Sequence, residues 1–248
     1  MDVALIGSGN VATVLGRIIS KHHKIVHVCS RQTENASILA NEFNCSFSGM
    51  DKISEINADI YIISVSDSAI EETDFHLHNK FLVHTAGSVS LHVLKNITTR
   101  YGVLYPLQSL RKEMQYIPDI PLLIDANSSE NLELLKMFAG SISKNVQCAG
   151  DEERLKLHTA AVIVSNFTNH LYALAEDFCV KEGIDFGMLR PLILETAQRI
   201  MHESPSKVQT GPAVRKDIQT LDKHLRLLAN YPKLRTTYLR LTDSIMHK

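Results

Sequence analysis

Val3-Ala4-Leu5-Ile6-Gly7-Ser8-Gly9-Asn10-Val11-Ala12 reads as a short apolar strand, a glycine turn and the start of a helix that continues through Gly16. The turn has the pattern G-x-G-x-x-A in the context that gives it meaning, directly after a strand and directly before a helix. Gly7 permits the tight turn, Gly9 lets a pyrophosphate approach the backbone, and the small Ala12 lets the helix lie close to the sheet. Unpaired amides at the helix start, aided by the helix dipole, attract phosphate. Gly7, Ser8, Gly9, Asn10, Val11 and Ala12 are therefore expected to bind a dinucleotide. The plainer alternative is a strand-to-helix turn that uses glycine only for its dihedrals.

Outward from this stretch, β-branched runs alternate with helix-like segments up to about residue 150, the pattern of a parallel sheet with crossover helices. Further strands are expected at Ile25 to Cys29, Cys45 to Phe47, Ile60 to Val65, Phe81 to Val83, Val103 to Tyr105, Leu122 to Ile124 and Val146 to Cys148. Ile60-Tyr61-Ile62-Ile63-Ser64-Val65 is apolar almost throughout, as in a strand covered on both faces. After Gly150 no strand-like run appears and the apolar spacing becomes helical. The expected organisation is an α/β dinucleotide-binding domain with a mostly parallel sheet over residues 1–150, then an all-helical domain over 151–248. In the second domain one helix is expected from Asp151 to about Glu182 and another from Met188 to about His202. A third is expected from Pro212 to about Ala229, and a fourth opens at Pro232. Four helices in so short a segment cannot each bury an apolar stripe internally, so a homodimer formed through the helical domain is expected.

Composition narrows the function classes. Lys and Arg total 26 against 27 Asp and Glu, a formal net charge of -1, which leaves no field to gather nucleic acid. No apolar run approaches the ~18 residues of a membrane span, and no export signal is visible. Cys29, Cys45, Cys148 and Cys179 show no paired spacing and read as free thiols in the cytoplasm. No cysteine or acid stands at ligand spacing around the histidines, so no metal site is expected.

The tip of the second strand distinguishes dinucleotides, because a carboxylate there would bond the ribose hydroxyls of NAD and repel a 2′-phosphate. The chain reads Val28-Cys29-Ser30-Arg31-Gln32-Thr33, with no acid at the tip. Arg31 offers a cationic fork to a phosphate, and Ser30 and Thr33 offer hydroxyls, so NADP is expected over NAD. The competing reading makes Arg31 a solvated loop residue. In an open parallel sheet the ligand lies outside the carboxyl ends of the strands. Ser64, Val65 and Ser66, then His84 and Thr85, are accordingly expected to line the cofactor site. Gly87, Ser88, Tyr105 and Gln108 are expected to face a small-molecule substrate, the alternative being turn chemistry and helix capping.

On the helix after residue 150, His158, Ser165, Asn166 and Asn169 form a polar stripe in an otherwise apolar stretch. His158 is the first candidate for donating a proton to a carbonyl or imine as hydride arrives, and Asn166 the second. The other reading of His158 is a histidine satisfied by hydrogen bonds inside a domain interface. Arg215 is a candidate anchor for a substrate carboxylate and His224 a candidate pocket residue, although a solvated charged helix face would look the same.

Taken together, the Gly7 to Ala12 loop, the Ser30-Arg31 tip, His84 to Ser88, Tyr105 to Ser109 and Gly211-Pro212-Ala213 resemble a bacterial family. It comprises two-domain, Rossmann-like NADP oxidoreductases with a C-terminal helical domain of unknown function. The N-terminal half is also similar to pyrroline-5-carboxylate reductases and to NADP reductases that use a deazaflavin coenzyme. The resemblance implies an oxidoreductase without naming its substrate. Two departures limit it. β-Hydroxyacid dehydrogenases place a lysine four residues before an asparagine here, whereas Lys156 is followed by Ala160, and Asn166 is preceded by Val162. The glycine-rich substrate loop of the pyrroline-5-carboxylate reductases is also missing. The expected function is hydride transfer between NADP and a small carbonyl or imine. The competing class is a non-enzymatic dinucleotide-binding sensor.

Overall fold

The eight expected strands form in the computed structural model, which describes residues 1–247. They are β1 (Asp2–Ile6), β2 (Lys24–Cys29), β3 (Ser46–Ser48), β4 (Ile60–Ile63), β5 (Phe81–His84), β6 (Arg100–Pro106), β7 (Leu122–Ala126) and β8 (Val146–Cys148). They make one sheet in the order β3-β2-β1-β4-β5-β6-β7-β8, parallel except where β6 meets β7. The order reverses direction at β1 and β4, which opens a crevice beyond their carboxyl ends. The helices of this part are α1 (Asn10–Ile19), α2 (Thr33–Phe43), α3 (Asp67–Glu71), α4 (Ser129–Ile142) and α5 (Asp151–Ala161).

Alternation along the strands fills both faces of the sheet. Val3 and Leu5 of β1, with Ile60 and Ile62 of β4, pack against Val14, Leu15 and Ile19 of α1, and Phe138 of α4 joins the same cluster. Ala4, Ile6, Tyr61 and Ile63 point the other way, into a cluster with Ile53, Ile70 and Leu94. On this second face Ile63 pairs with His84 and His84 with Val103, so the register puts the His84 side chain inside. Tyr105, two residues beyond Val103, shares that face in a smaller cluster with Leu91, Leu123 and Leu157 of α5.

By contact the chain divides into two units, Met1–Asn166 and the part from Phe167 onward. Asp151–Asn166, expected in the helical domain, thus counts with the sheet. The helix expected from Asp151 to Glu182 is continuous but not uniform. After α5 it widens into a π-turn, Val162–Phe167, and then resumes as α6 (Thr168–Lys181). The second unit continues with α7 (Arg190–Arg199), α8 (Ile218–Leu227) and α9 (Pro232–Met246). Pro212 does not open a helix as expected. Lys216 adopts a left-handed φ of 53° that no helix accommodates, and α8 starts only after Asp217, whose carboxylate caps the Thr220 N–H. In this unit, among the described residues, the buried apolar side chains are Cys179, Ala213, Leu221 and Leu228. That is too few to hold four helices together from within.

His84 carries a pH dependence. Its side chain is fully buried, and burial, reinforced by the nearby Arg154 charge, pushes its pKa down from 6.5 to about 4. A histidine depressed in the folded state is protonated first in the unfolded chain. Its contribution is therefore complete above pH 6.5 and is lost as pH falls from 6.5 toward 4. Denaturant unfolding should show wild type losing about 3 kcal/mol more over that window than His84→Asn. Parallel stability curves for the two proteins would show that His84 does not titrate this way.

Candidate functional site

The crevice at the β1/β4 switch is a cavity of about 730 Å³ whose wall includes Gly7, Gly9, Ser30, Arg31, Ser64 and Val65. Gly7 sits at φ +113°, and a Cβ there would lie 2.4 Å from the Ser64 carbonyl oxygen, so both conformation and space demand glycine. Gly9 is different: its Cβ would meet nothing within 4 Å. The room beside it, over the first turn of α1, is what a pyrophosphate needs to reach the backbone. The ladder of α1 begins with the Thr13 N–H on the Gly9 carbonyl at 3.0 Å, so the preceding amides of the first turn have no partner in the helix. Ala12, on the first turn of α1, is fully buried against the core, which its small size permits. This geometry fits a dinucleotide.

Ser8 donates to Ser30 at 3.0 Å, tying the glycine loop to the tip of β2. Arg31 is exposed on the cavity wall, but so are Asp51, Glu72 and Asp74, which sequence reasoning missed. A 2′-phosphate there would depend on Arg31 to offset neighbouring carboxylates. Thr33 begins α2 and, like Ser66 before α3, does not line this cavity. The Asn10 side chain accepts the Lys112 N–H at 3.1 Å.

A second cavity, of about 530 Å³, lies where the loops after β5 and β6 meet α5 and the π-turn. Thr85, Tyr105, Gln108, His158, Ser165 and Asn166 supply its polar lining, and Val11 from α1 borders it. It adjoins the first cavity, because Thr85 donates to Ser64 at 3.3 Å. Within it the Tyr105 hydroxyl and His158 Nδ1 are 2.8 Å apart. Burial pushes the Tyr105 phenol up; Asp67 adds to that, while Arg154 opposes it.

One face of α5 fixes His158. Asp151, Arg154 and His158 are spaced three and four residues apart, hence side by side on the helix. Asp151 accepts from the Ser90 hydroxyl at 2.6 Å and the Leu91 N–H at 2.9 Å. Arg154, 1% exposed, donates to the Val89 carbonyl at 2.6 Å and to Asp151 at 2.7 Å. Burial works against Asp151 ionising, but those hydrogen bonds outweigh it and hold its pKa below the ordinary value. His158 then lies on Gly87, where a Cβ would come within 2.6 Å of its Nδ1. Thus four residues within the five-residue run Gly87 to Leu91, all but Ser88, receive the helix.

Other expected residues fall elsewhere. His84 lines neither cavity; it is enclosed beneath α5, where its Nδ1 accepts the Ala86 N–H at 3.2 Å. Gly87 seats His158 instead of contacting a ligand, and Ser88 donates to Asp67. In the second unit Arg215 is exposed, and His224 Nδ1 pairs with the Tyr238 hydroxyl at 2.7 Å. Asp151 and Arg154 escaped notice because charged residues at helical spacing usually mark a solvated face. The one available signal was their register with His158.

The family model described as NADP oxidoreductase, coenzyme F420-dependent, matches residues 2–86, and the domain of unknown function DUF2520 matches residues 120–245. A crystal structure of a Bacteroides fragilis protein described as a putative NADP oxidoreductase is 37% identical, with a TM-score of 0.89 over 100% of this chain and 98% of that one. A 1-pyrroline-5-carboxylate reductase from Streptococcus pyogenes is 14% identical (TM-score 0.64; 100% and 99% covered). An imine reductase from Pseudomonas sp. is 17% identical (TM-score 0.66; 99% and 91% covered). These last two share the fold. No curated protein matches the chain. No helix among the described residues is long and apolar enough to cross a membrane.

The seat of the imidazole is testable. Gly87→Ala should displace the His158 ring and cost roughly 1–3 kcal/mol of stability, the range for an overpacked contact. A crystal structure of the variant with the ring unmoved, and an unchanged denaturation midpoint, would contradict this account of Gly87.

Proposed function

Since the chain belongs to the family in which an NADP oxidoreductase domain precedes the DUF2520 domain, we propose that it transfers a hydride between NADP and a small carbonyl or imine. The observation that carries the reading is the Tyr105–His158 pair in a cavity that shares a wall with the dinucleotide crevice. NADPH supplies the hydride when bound. Gly9 and the first turn of α1 would hold its pyrophosphate, and Arg31 with Ser30 its 2′-phosphate. In the second cavity a hydride reaching a C=O or C=N carbon leaves charge on the heteroatom. A donor within ~3 Å of that atom lowers the barrier. His158 fills this role, and Asn166, Ser165 or Gln108 can orient the same atom. The names of two structural relatives point to C=N substrates, which favours an imine within the carbonyl and imine class.

The helical part supports a homodimer. Val180, Met188, Leu192 and Met201 are 62% to 78% exposed while few apolar side chains of that unit are buried, so a second copy is the partner proposed to cover them. With four free cysteines, the reducing cytoplasm is the proposed location. Sedimentation velocity at micromolar concentration should give twice the mass of one chain; a monomer would contradict the dimer.

Two substitutions test the chemistry. Arg31→Asp should weaken NADPH binding by about 1.5–3 kcal/mol, the range for a hydrogen bond to a charged group, with NADH affected far less. Equal losses would mean that Arg31 does not read the 2′-phosphate. In single-turnover assays over a panel of ketones and imines, His158→Gln should slow hydride transfer by roughly 10²-fold while leaving NADPH affinity nearly unchanged. Failure of wild type to bind either nucleotide at millimolar concentration would remove the proposal altogether.

A further inference from the structure

A histidine that is to donate from Nε2 must carry its neutral-form proton there, and which nitrogen carries it is set by the bond the other one makes. Nδ1 of His158 faces the Tyr105 hydroxyl at 2.8 Å. If Nδ1 carried the proton and donated to the phenol oxygen, the phenol's own O–H would need another acceptor. Tyr105 is only 8% exposed, and no second partner lies within hydrogen-bond reach among the described residues. Tyr105 lines the second cavity, so in that arrangement its O–H would have to find an acceptor there. The phenol is the stronger donor of the two groups and the imidazole nitrogen the stronger acceptor, so the better-matched bond has Tyr105 donating to Nδ1, which puts the imidazole proton on Nε2. Gly87 beneath the ring and Tyr105 edge-on to it, with centroids 5.7 Å apart, leave the imidazole little freedom to turn over.

Four residues before His158 on the same helix, Arg154 is buried, and its Nε and Nη1 have no hydrogen-bond partner. Asp151 and the Val89 carbonyl occupy only its Nη2. An ion pair alone would not leave two guanidinium nitrogens, with three N–H groups between them, unused in a buried position. The charge of this group acts on Tyr105 in the direction that favours phenolate, and on His84 against protonation. Asp67 acts on Tyr105 in the opposite sense, but its carboxylate accepts from Ser88.

Resting on the assignment of His158 as donor, we propose that Tyr105 is the proton reservoir of the site and Arg154 the cation that receives its charge. Tyr105 holds His158 as the Nε2–H tautomer. As hydride from NADPH reaches the carbonyl or imine carbon and the π bond breaks, Nε2 gives its proton to the substrate heteroatom. The Tyr105 proton passes to Nδ1 in the same event. The imidazole stays neutral, and the negative charge ends on the Tyr105 oxygen within the field of Arg154; after product leaves, a solvent proton enters at Nε2 while the Nδ1 proton returns to Tyr105, which restores both groups. Tyr105 and Arg154 are positioning and supply residues; of the three, His158 alone touches the substrate.

The test needs no turnover. Full-length protein labelled with [15N]histidine is examined by NMR with and without NADP+, the His158 signals being identified by their loss in His158→Gln. Nδ1 should be unprotonated and hydrogen-bonded and Nε2 protonated, and Tyr105→Phe should abolish the hydrogen-bond shift at Nδ1. A proton found on Nδ1 overturns the proposal. With [13Cζ]tyrosine, Arg154→Met should move the ionisation of Tyr105 to higher pH by roughly one unit, and Arg154→Lys should move it less. Should Arg154→Met not fold, the lysine variant and the tautomer measurement decide alone. An unmoved Tyr105 titration in a folded Arg154→Met protein removes Arg154 from the scheme. Absence of nucleotide binding strikes the oxidoreductase reading without touching the tautomer result, so the two fail separately.

Discussion

Burying a guanidinium is unfavourable unless its charge is met, and the site is arranged around the way Arg154 meets that condition. The Asp151 carboxylate supplies the counter-charge from one turn earlier, and the Val89 carbonyl supplies a second acceptor from the loop after β5. Asp151 is at the same time held by Ser90 and Leu91. The pair therefore links α5 to the carboxyl end of the central sheet, where the parallel fold places ligands. Apolar packing through Leu157 alone would hold the helix less specifically, since hydrophobic contact tolerates small slips that a directed salt bridge does not. His158 inherits this precision, because it lies on the anchored face one turn beyond Arg154.

The π-turn continues the same logic. A helix with uniform 3.6-residue periodicity would carry one face through the whole stretch from Asp151 to Lys181. The wider turn at Val162–Phe167 interrupts that phase where Ser165 and Asn166 line the second cavity. Such turns exchange regular hydrogen bonds for a changed side-chain direction and occur often at functional sites. None of the six residues in it is buried, so core packing does not explain it.

What the sequence disclosed follows the range over which each feature is determined. The strands and the Gly7 to Ala12 loop are local: apolar run, turn glycines and helix start lie within about ten residues, and they were legible. His158, Tyr105 and Asn166 were legible as candidates because polar groups at strand ends or on an apolar helix need a reason to be there. His84 was misread because strand ends alternate, and only the pairing of His84 with Ile63 and Val103 shows which way it faces. The partner of the Asn10 side chain was out of reach for a related reason: its acceptor role depends on Lys112, over a hundred residues away in the chain. At Pro212 a sound local rule gave the wrong helix start, because the left-handed turn at Lys216 and the Asp217 cap follow it.

Three glycines show how the same residue type can mark unlike constraints. At Gly7 the constraint is the backbone itself, with a positive φ and the Ser64 carbonyl against the missing Cβ. At Gly9 neither applies, and the space that a side chain would take stays open above the α1 amides, room that suits a pyrophosphate. Gly87 is set by another part of the protein, the imidazole of His158. Only the first belongs to the fold in the narrow sense. The second ties sequence to cofactor, and the third ties the β5 loop to the residue proposed to donate the proton. The crevice and the proposed donor are thus joined through the carboxyl ends of the central strands, since Thr85, two residues before Gly87, bonds to Ser64, which in turn abuts Gly7. Gly9 stands outside this linkage, because no atom meets its missing Cβ, whereas Gly7 and Gly87 each answer to a neighbour that the strand ends supply.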